Sequence, residues 1–156
     1  MNARMQPQEK RVYRWVTFQV ADEVYGINVM QVQEVLRMTE IAPVPGAPSS
    51  VIGIINLRGN IVTVVDAREL FGLSMREFTE QTRIMIVECK KTTLGLLVDG
   101  VAEVVNIDND HIDAAPSLGS VENSRYIQGV YNINGEILIL VDLDKLVDVD
   151  GQGVRN

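Results

Sequence analysis

Apolar and polar positions alternate along 16–20: Val16, Phe18 and Val20 on one side, Thr17 and Gln19 on the other. That two-residue period predicts a half-buried β-strand. Tyr25, Ile27 and Val29 alternate with Gly26 and Asn28, and Ala21-Asp22-Glu23 supplies the turn between the two strands. Residues 85–89 and 94–98 repeat the arrangement around Lys90-Lys91-Thr92-Thr93. Arg58-Gly59-Asn60 and Asn134-Gly135-Glu136 separate apolar runs, and glycine there permits the positive φ of a tight hairpin. Residues 61–65 and 137–141 are nearly all apolar, which predicts strands buried on both faces. Asp66 and Asp142 follow these strands and begin short helical turns. Asp66-Ala67-Arg68-Glu69 has the form of a capping box, in which Asp66 accepts from the first turn and Glu69 reaches back. Val29, Val32 and Val35 recur every three residues, a helical spacing in β-branched residues. The expectation there is a short turn, then a strand through Leu36.

The pattern is doubled. An offset of 76 residues lays 52–66 over 128–142, with Gly53/Gly129, Asn56/Asn132, Gly59/Gly135, Ile61/Ile137, Val65/Val141 and Asp66/Asp142 identical, and Leu70/Leu146 just beyond. An offset of 69 lays Tyr25-Gly26-Ile27 over Leu94-Gly95-Leu96, and Val29, Val32, Glu34 and Val35 over Val98, Val101, Glu103 and Val104. The extra length of the second copy falls in 108–124, a stretch rich in Asp, Asn and Ser that reads as loop. Each copy offers about five strands and a helix of one or two turns. Units this small are marginal alone, so two barrels sharing a core are expected. The expected boundaries are a flexible N-terminus over 1–14, a domain over 15–147 and a tail over 148–156. The two barrels are expected at 15–71 and 83–147, joined by 72–82.

Composition supports a mainly β fold. Val (23) and Ile (14) outnumber Leu (12) and Ala (8), and branched side chains pack well on a pleated surface. With 22% charged and 46% hydrophobic residues, the chain is globular rather than disordered. The longest uncharged stretch, 41–57, is broken by Pro43, Pro45, Pro48, Gly46 and Gly53, and is short of the roughly 20 apolar residues of a membrane helix. No direct membrane insertion is therefore expected. The polar N-terminus lacks the apolar core of a secretory signal. The net charge is −7, and four of the 14 basic residues lie in the first 14 positions, which argues against binding of nucleic acid.

Candidate chemistry is sparse. The single Cys89 closes a predicted strand, and the single His111 lies in Asp108-Asn109-Asp110-His111-Ile112-Asp113. That acidic loop lacks the glycine and closing glutamate of an EF-hand, so a solvated loop is expected over a metal site. Asp148-Val149-Asp150-Gly151 near the C-terminus is read in the same way. Asp66 and Asp142 stand at equivalent helix starts, which favours capping over paired catalytic carboxylates. No catalytic residues, metal or cofactors are expected. The alternatives are a nucleic-acid-binding small barrel and a metal-dependent enzyme built on the Asp-rich loops. One position breaks the repeat informatively. Arg58 is matched by Asn134, so the hairpin does not demand arginine. The turn leaves two readings open: a solvated surface residue, or a fork of donors aimed at a carboxylate. Val29, Val32 and Val35 likewise pack in the core or form an outer apolar patch ringed by charge.

Tyr25-Gly26-Ile27, Val32-Gln33-Glu34-Val35, the run from Gly53 through Asn56-Leu57-Arg58-Gly59 to Asp66, Val98-Asp99-Gly100-Val101, and the run from Ile137 to Asp142 together resemble the CheW family of bacterial chemotaxis coupling proteins. The likeness covers about 15–147. It implies two packed SH3-like five-stranded β-barrels with short helices, no catalysis, and a cytoplasmic place beneath chemoreceptor arrays. The implied partners are the regulatory domain of the histidine kinase CheA, the cytoplasmic tip of methyl-accepting chemotaxis proteins, and other copies of the coupling protein in rings. Matched by motif, the kinase-binding residues are Val16, Val29, Val32, Glu34, Val35 and Arg58, with Glu34 the charge partner of Arg58. The receptor-binding residues are Gly53, Leu94, Gly95, Val98 and Val101. The short tail leaves the final helix of the family truncated or absent.

Overall fold

The computed structural model describes residues 12–74, 77–114 and 126–149. Residues 1–11, 75–76, 115–125 (the second part of the expected 108–124 loop) and 150–156 lie outside them. Among the described residues are ten strands: β1 (Val12–Val20), β2 (Glu23–Asn28), β3 (Val32–Arg37), β4 (Val51–Leu57), β5 (Asn60–Asp66), β6 (Arg83–Cys89), β7 (Thr92–Val98), β8 (Gly100–Asp108), β9 (Ile127–Ile133) and β10 (Glu136–Val141). Helix α1 (Ala67–Leu70) follows β5, and α2 (Leu143–Val149) follows β10. β1 begins at Val12, where Val12 pairs with Asp108, so the strand reaches into the segment expected to be a flexible arm. The final helix is present as two turns.

The strands form two five-stranded sheets, ordered β8-β1-β2-β10-β9 and β3-β6-β7-β5-β4. This corrects the expected assignment of one barrel to each repeat. β1 and β2 of the first copy join β8, β9 and β10 of the second, while β6 and β7 join β3, β4 and β5. Each copy thus gives its leading hairpin to the other's sheet. The parallel pairs β2–β10 and β5–β7 are the seams of that exchange. A repeat shows which strands are equivalent, and the exchanged and unexchanged arrangements have the same equivalences.

Each sheet closes through its own edges. Beyond β3, Ala42 exchanges two backbone hydrogen bonds with Ile54 of β4, at 2.9 and 2.8 Å. Beyond β8, Asp113 does the same with Val130 of β9, both at 2.9 Å. Closure brings backbone against backbone and accounts for the paired glycines. A Cβ on Gly53 would overlap the Ala42 carbonyl, and one on Gly129 would lie 2.9 Å from the Asp113 carbonyl oxygen. Closing the edges also hides unpaired strand groups that invite aggregation.

Alternation along each strand feeds separate cores. Trp15, Ile107, Leu138 and Leu140 fill one barrel. Ile55, Val62, Val64, Ile84, Ile86 and Leu97 fill the other. Between them lies a shared core that includes Val16, Phe18, Ile27, Met85, Val87, Leu96, Val98 and Val141. Central strands are therefore buried on both faces, as their continuous apolar runs require. Asp66 accepts a hydrogen bond from the Arg68 N–H at 2.9 Å, as a cap should. The reach-back half of the box is replaced: the Asp66 N–H donates to the Ser50 carbonyl at 2.8 Å, and its counterpart Asp142 donates to Tyr126 at 2.8 Å.

Tyr25 stacks on Phe71, ring centroids 4.3 Å apart, and Phe71 lies 5.1 Å from Tyr126. Burial, then the neighbouring Tyr126 and Glu23, pushes the Tyr25 phenol up to about 12. The unfolded chain releases this proton near 10.0, so stability is present below that pH and is lost as pH rises towards the folded value. Thermal melts between those two values should show wild type weakening steeply and Tyr25→Phe weakening less. Closure makes a second prediction. Gly53→Ala should destabilise by about 1–3 kcal/mol, the range for overpacking. Gly100→Ala, whose Cβ meets the flexible Gln19 side chain at 3.2 Å, should melt close to wild type. Urea titration of both variants checks the contrast.

Candidate interaction surfaces

The β4–β5 hairpin turns through Arg58 and Gly59, with φ of 51° and 91°. The β9–β10 hairpin turns through Asn134 and Gly135 with φ of 54° and 88°. Both are stapled alike: Asn56 Oδ1 accepts from the Gly59 N–H at 2.8 Å, and Asn132 Oδ1 from the Gly135 N–H at 3.1 Å. Two successive positive φ values favour Asn-Gly, because asparagine tolerates the left-handed region. Arginine at that place is strained, and an observed outlier of this kind points towards function.

The strained residue holds a partner. Arg58 Nη2 pairs with Glu34 Oε2, and Nη1 donates to Oε1 at 3.4 Å. The hydrogen bond to Glu34, then its charge, raises the already high pKa of Arg58. Glu34 lies on β3 and Arg58 at the end of β4, which are opposite edges of one sheet. The pair therefore crosses the line where the barrel closes. Arg58 keeps 69% of its side chain exposed against 30% for Glu34, so most of its surface is free for a neighbour.

Exposed apolar side chains occur close to the pair in the chain. Val35 is 40% exposed and Ile61 64%, while Met30, at the turn between β2 and β3, is 85% exposed. The valine spacing has a specific cause. A 3-10 turn over Val29–Gln31 leads into β3, and a bulge interrupts β3 between Val32 and Glu34. Val32 stands opposite Val87 and Val35 opposite Met85, so the extra residue keeps Val32 and Val35 on one face. β8 repeats this, with Val101 opposite Phe18 and Val104 opposite Val16.

The expected residues do not all meet in one exposed patch. Glu34, Val35 and Arg58 are accessible; Val29 and Val32 are half-buried against the shared core, and Val16 is buried in it. Leu94 and Val98 are buried in that same core, and Val101 packs half-buried on it. Gly53 sits at the closure, and Gly95 lies under the second barrel's core, where a Cβ would meet Ile84 Cγ2 at 3.0 Å. Of the five residues matched to a receptor groove, only Val101 is partly exposed in the isolated chain; the other four are buried.

The acidic loop is occupied by local structure. Asp108 Oδ1 accepts from the Asp110 N–H at 2.9 Å, capping a 3-10 turn over Asn109–His111, and His111 Nδ1 lies 3.8 Å from Asp108 Oδ2. Among the described residues no three His, Cys, Asp or Glu are grouped to hold a metal ion. Nor is any described helix long and apolar enough to cross a membrane.

Sequence reading passed over a buried cluster. Arg68 on α1, 6% exposed, donates through Nε and Nη2 to both carboxylate oxygens of Asp99, at 3.1 and 2.6 Å, and through Nη1 to the Ser74 carbonyl at 3.0 Å. The Ala21 N–H donates to Asp99 Oδ2 at 2.6 Å. The signal was available in the repeat: Arg68 is matched by Asp144 and Asp99 by Met30.

A CheW-like domain model matches residues 14–150. The chain is 33% identical to the chemotaxis protein CheW of Rhizobium meliloti over 131 residues, covering 84% of each chain. It is 31% identical to the chemotaxis protein CheW of Treponema pallidum over 140 residues, covering 86% of this chain and 81% of the other. The crystal structure of the scaffolding protein TtCheW from Thermoanaerobacter tengcongensis superposes with a TM-score of 0.81 at 33% identity, covering 90% of this chain and 96% of that one. Two closed five-stranded sheets, an arginine held at a strained hairpin and a match along nearly the whole sequence lead to one conclusion: this chain belongs to the CheW family of chemotaxis coupling proteins, a family of scaffolds rather than catalysts.

Proposed function

We propose that this chain is a non-enzymatic adaptor, acting in the cytoplasm at receptor arrays on the inner face of the membrane. It links the cytoplasmic tip of methyl-accepting chemoreceptors to the regulatory domain of the histidine kinase CheA. The observation that carries the reading is Arg58, kept at a positive φ where the repeat uses Asn134, and paired with Glu34, with the exposed Val35 next to Glu34 in sequence and the exposed Ile61 three residues after Arg58. A charged fork beside exposed aliphatic side chains has the make-up of a specific protein contact. Val29, Val32 and Val16 support this kinase-facing surface from beneath. Gly53, Leu94, Gly95, Val98 and Val101 set the shape of the receptor-facing groove between barrels, with Val101 at its surface. The repeat places a second patch, Val104 and Ile137, on the other barrel, which suits contact with further copies in a ring. Several weak contacts joined in one array gain strength through effective concentration, so each stays reversible.

Titration with purified CheA regulatory domain tests the kinase face. Arg58→Glu should weaken binding at least tenfold with little change in melting temperature, and adding Glu34→Arg should recover most of it. Unchanged affinity in Arg58→Glu would refute the assignment. Arg58→Asn separates contact from fold: it relieves the turn, so its melting temperature should equal or exceed wild type while kinase binding still falls.

A further inference from the structure

We infer that the Arg68–Asp99 pair is a clamp that positions the β7–β8 crossing, and through it Val98 and Val101, for the receptor. This rests on the adaptor reading above. The chain passes from one sheet to the other at two places, and the repeat makes them equivalent: 29–31 between β2 and β3, and 98–100 between β7 and β8. The two are built differently. At the first, Met30 is 85% exposed, and Gln31 Nε2 reaches Asp144 Oδ1 at 3.5 Å and the Glu88 carbonyl at 3.4 Å. At the second, Asp99 occupies the place of Met30 and takes both arms of the Arg68 fork. Its N–H donates to the Gln19 carbonyl at 2.9 Å, and its Oδ2 also accepts from Ala21. The first crossing is held by the Asn28 cap, whose Oδ1 accepts from the Met30 N–H at 2.9 Å, and by long Gln31 contacts, the second by a charge-assisted bidentate pair.

The clamp joins three segments at one point: α1 behind β5, the β7–β8 crossing and the β1–β2 turn. The last belongs to the other sheet. Asp99 lies directly between Val98 and Val101 in the chain. The fold tolerates a crossing without the pair, because its own first crossing lacks one. Arg68 is thus a positioning residue for receptor docking rather than a contact.

Affinities of the full chain for a receptor cytoplasmic-tip fragment and for the kinase regulatory domain, measured separately at a temperature where each variant is folded, decide this. Asp99→Asn should lower affinity for the tip at least tenfold and leave the kinase domain within twofold. Gln31→Ala, at the other crossing, should leave both within twofold. Amide exchange in Asp99→Asn should quicken at 98–101 and stay as wild type at 29–32. Equal losses for both partners, or none for either, overturn the clamp while the adaptor reading stands. A wild-type chain that binds no tip overturns both. Should Asp99→Asn not fold, Arg68→Lys, which keeps the charge and loses the fork, is read by the same criteria.

Discussion

The exchange of leading hairpins is the constraint on which the rest of this molecule depends. Because β1 and β2 complete the barrel of the second copy, and β6 and β7 that of the first, neither barrel exists without the other. The shared core follows from this exchange. Strands at the seams, β2 beside β10 and β5 beside β7, have a barrel interior on one face and the partner barrel on the other. That is why β7 carries Leu94, Leu96 and Val98 towards the junction and Leu97 towards the barrel.

The fold was largely legible because its strands follow alternation and its hairpins follow turn chemistry. Val16–Phe18–Val20 lies where its pattern places it, whereas the apolar runs 61–65 and 137–141 form the expected strands but leave their first residues, Ile61 and Ile137, exposed instead of buried on both faces. Two things were hidden for physical reasons. Valines at a spacing of three look helical, yet a bulge in a strand produces the same spacing by inserting one unpaired residue, and both causes operate here: a 3-10 turn at Val29 and a bulge after Val32. Strand exchange was hidden because internal similarity reports equivalence, never adjacency. The capping box was half legible. Asp66 caps as its type requires, but its own N–H is taken by Ser50, a partner sixteen positions away that no local pattern names.

Of the proposed site, Arg58 was the residue the sequence singled out, because the fold's own second copy shows that asparagine suffices there. The same comparison singles out Arg68 and Asp99, whose counterparts are Asp144 and Met30, but burial of an arginine is invisible in sequence, and a capping motif gave α1 a sufficient explanation. Valine and glycine positions were the least legible. Val16, Leu94 and Val98 are buried and Gly53 and Gly95 are demanded by close packing, so their residue types say nothing that separates a docking groove from a core.

What distinguishes the two halves is therefore chemistry placed on equivalent geometry. The hairpin tips share φ values and staples, yet one carries an arginine its backbone disfavours and the other an asparagine suited to it. The crossings share their place in the topology, yet one exposes a methionine and the other carries an ion pair whose arginine is buried. A symmetric pair of barrels would offer each neighbour the same two faces. Differences at these four positions make the ends unlike, and an adaptor that joins two different partners needs unlike ends more than it needs a reactive interior.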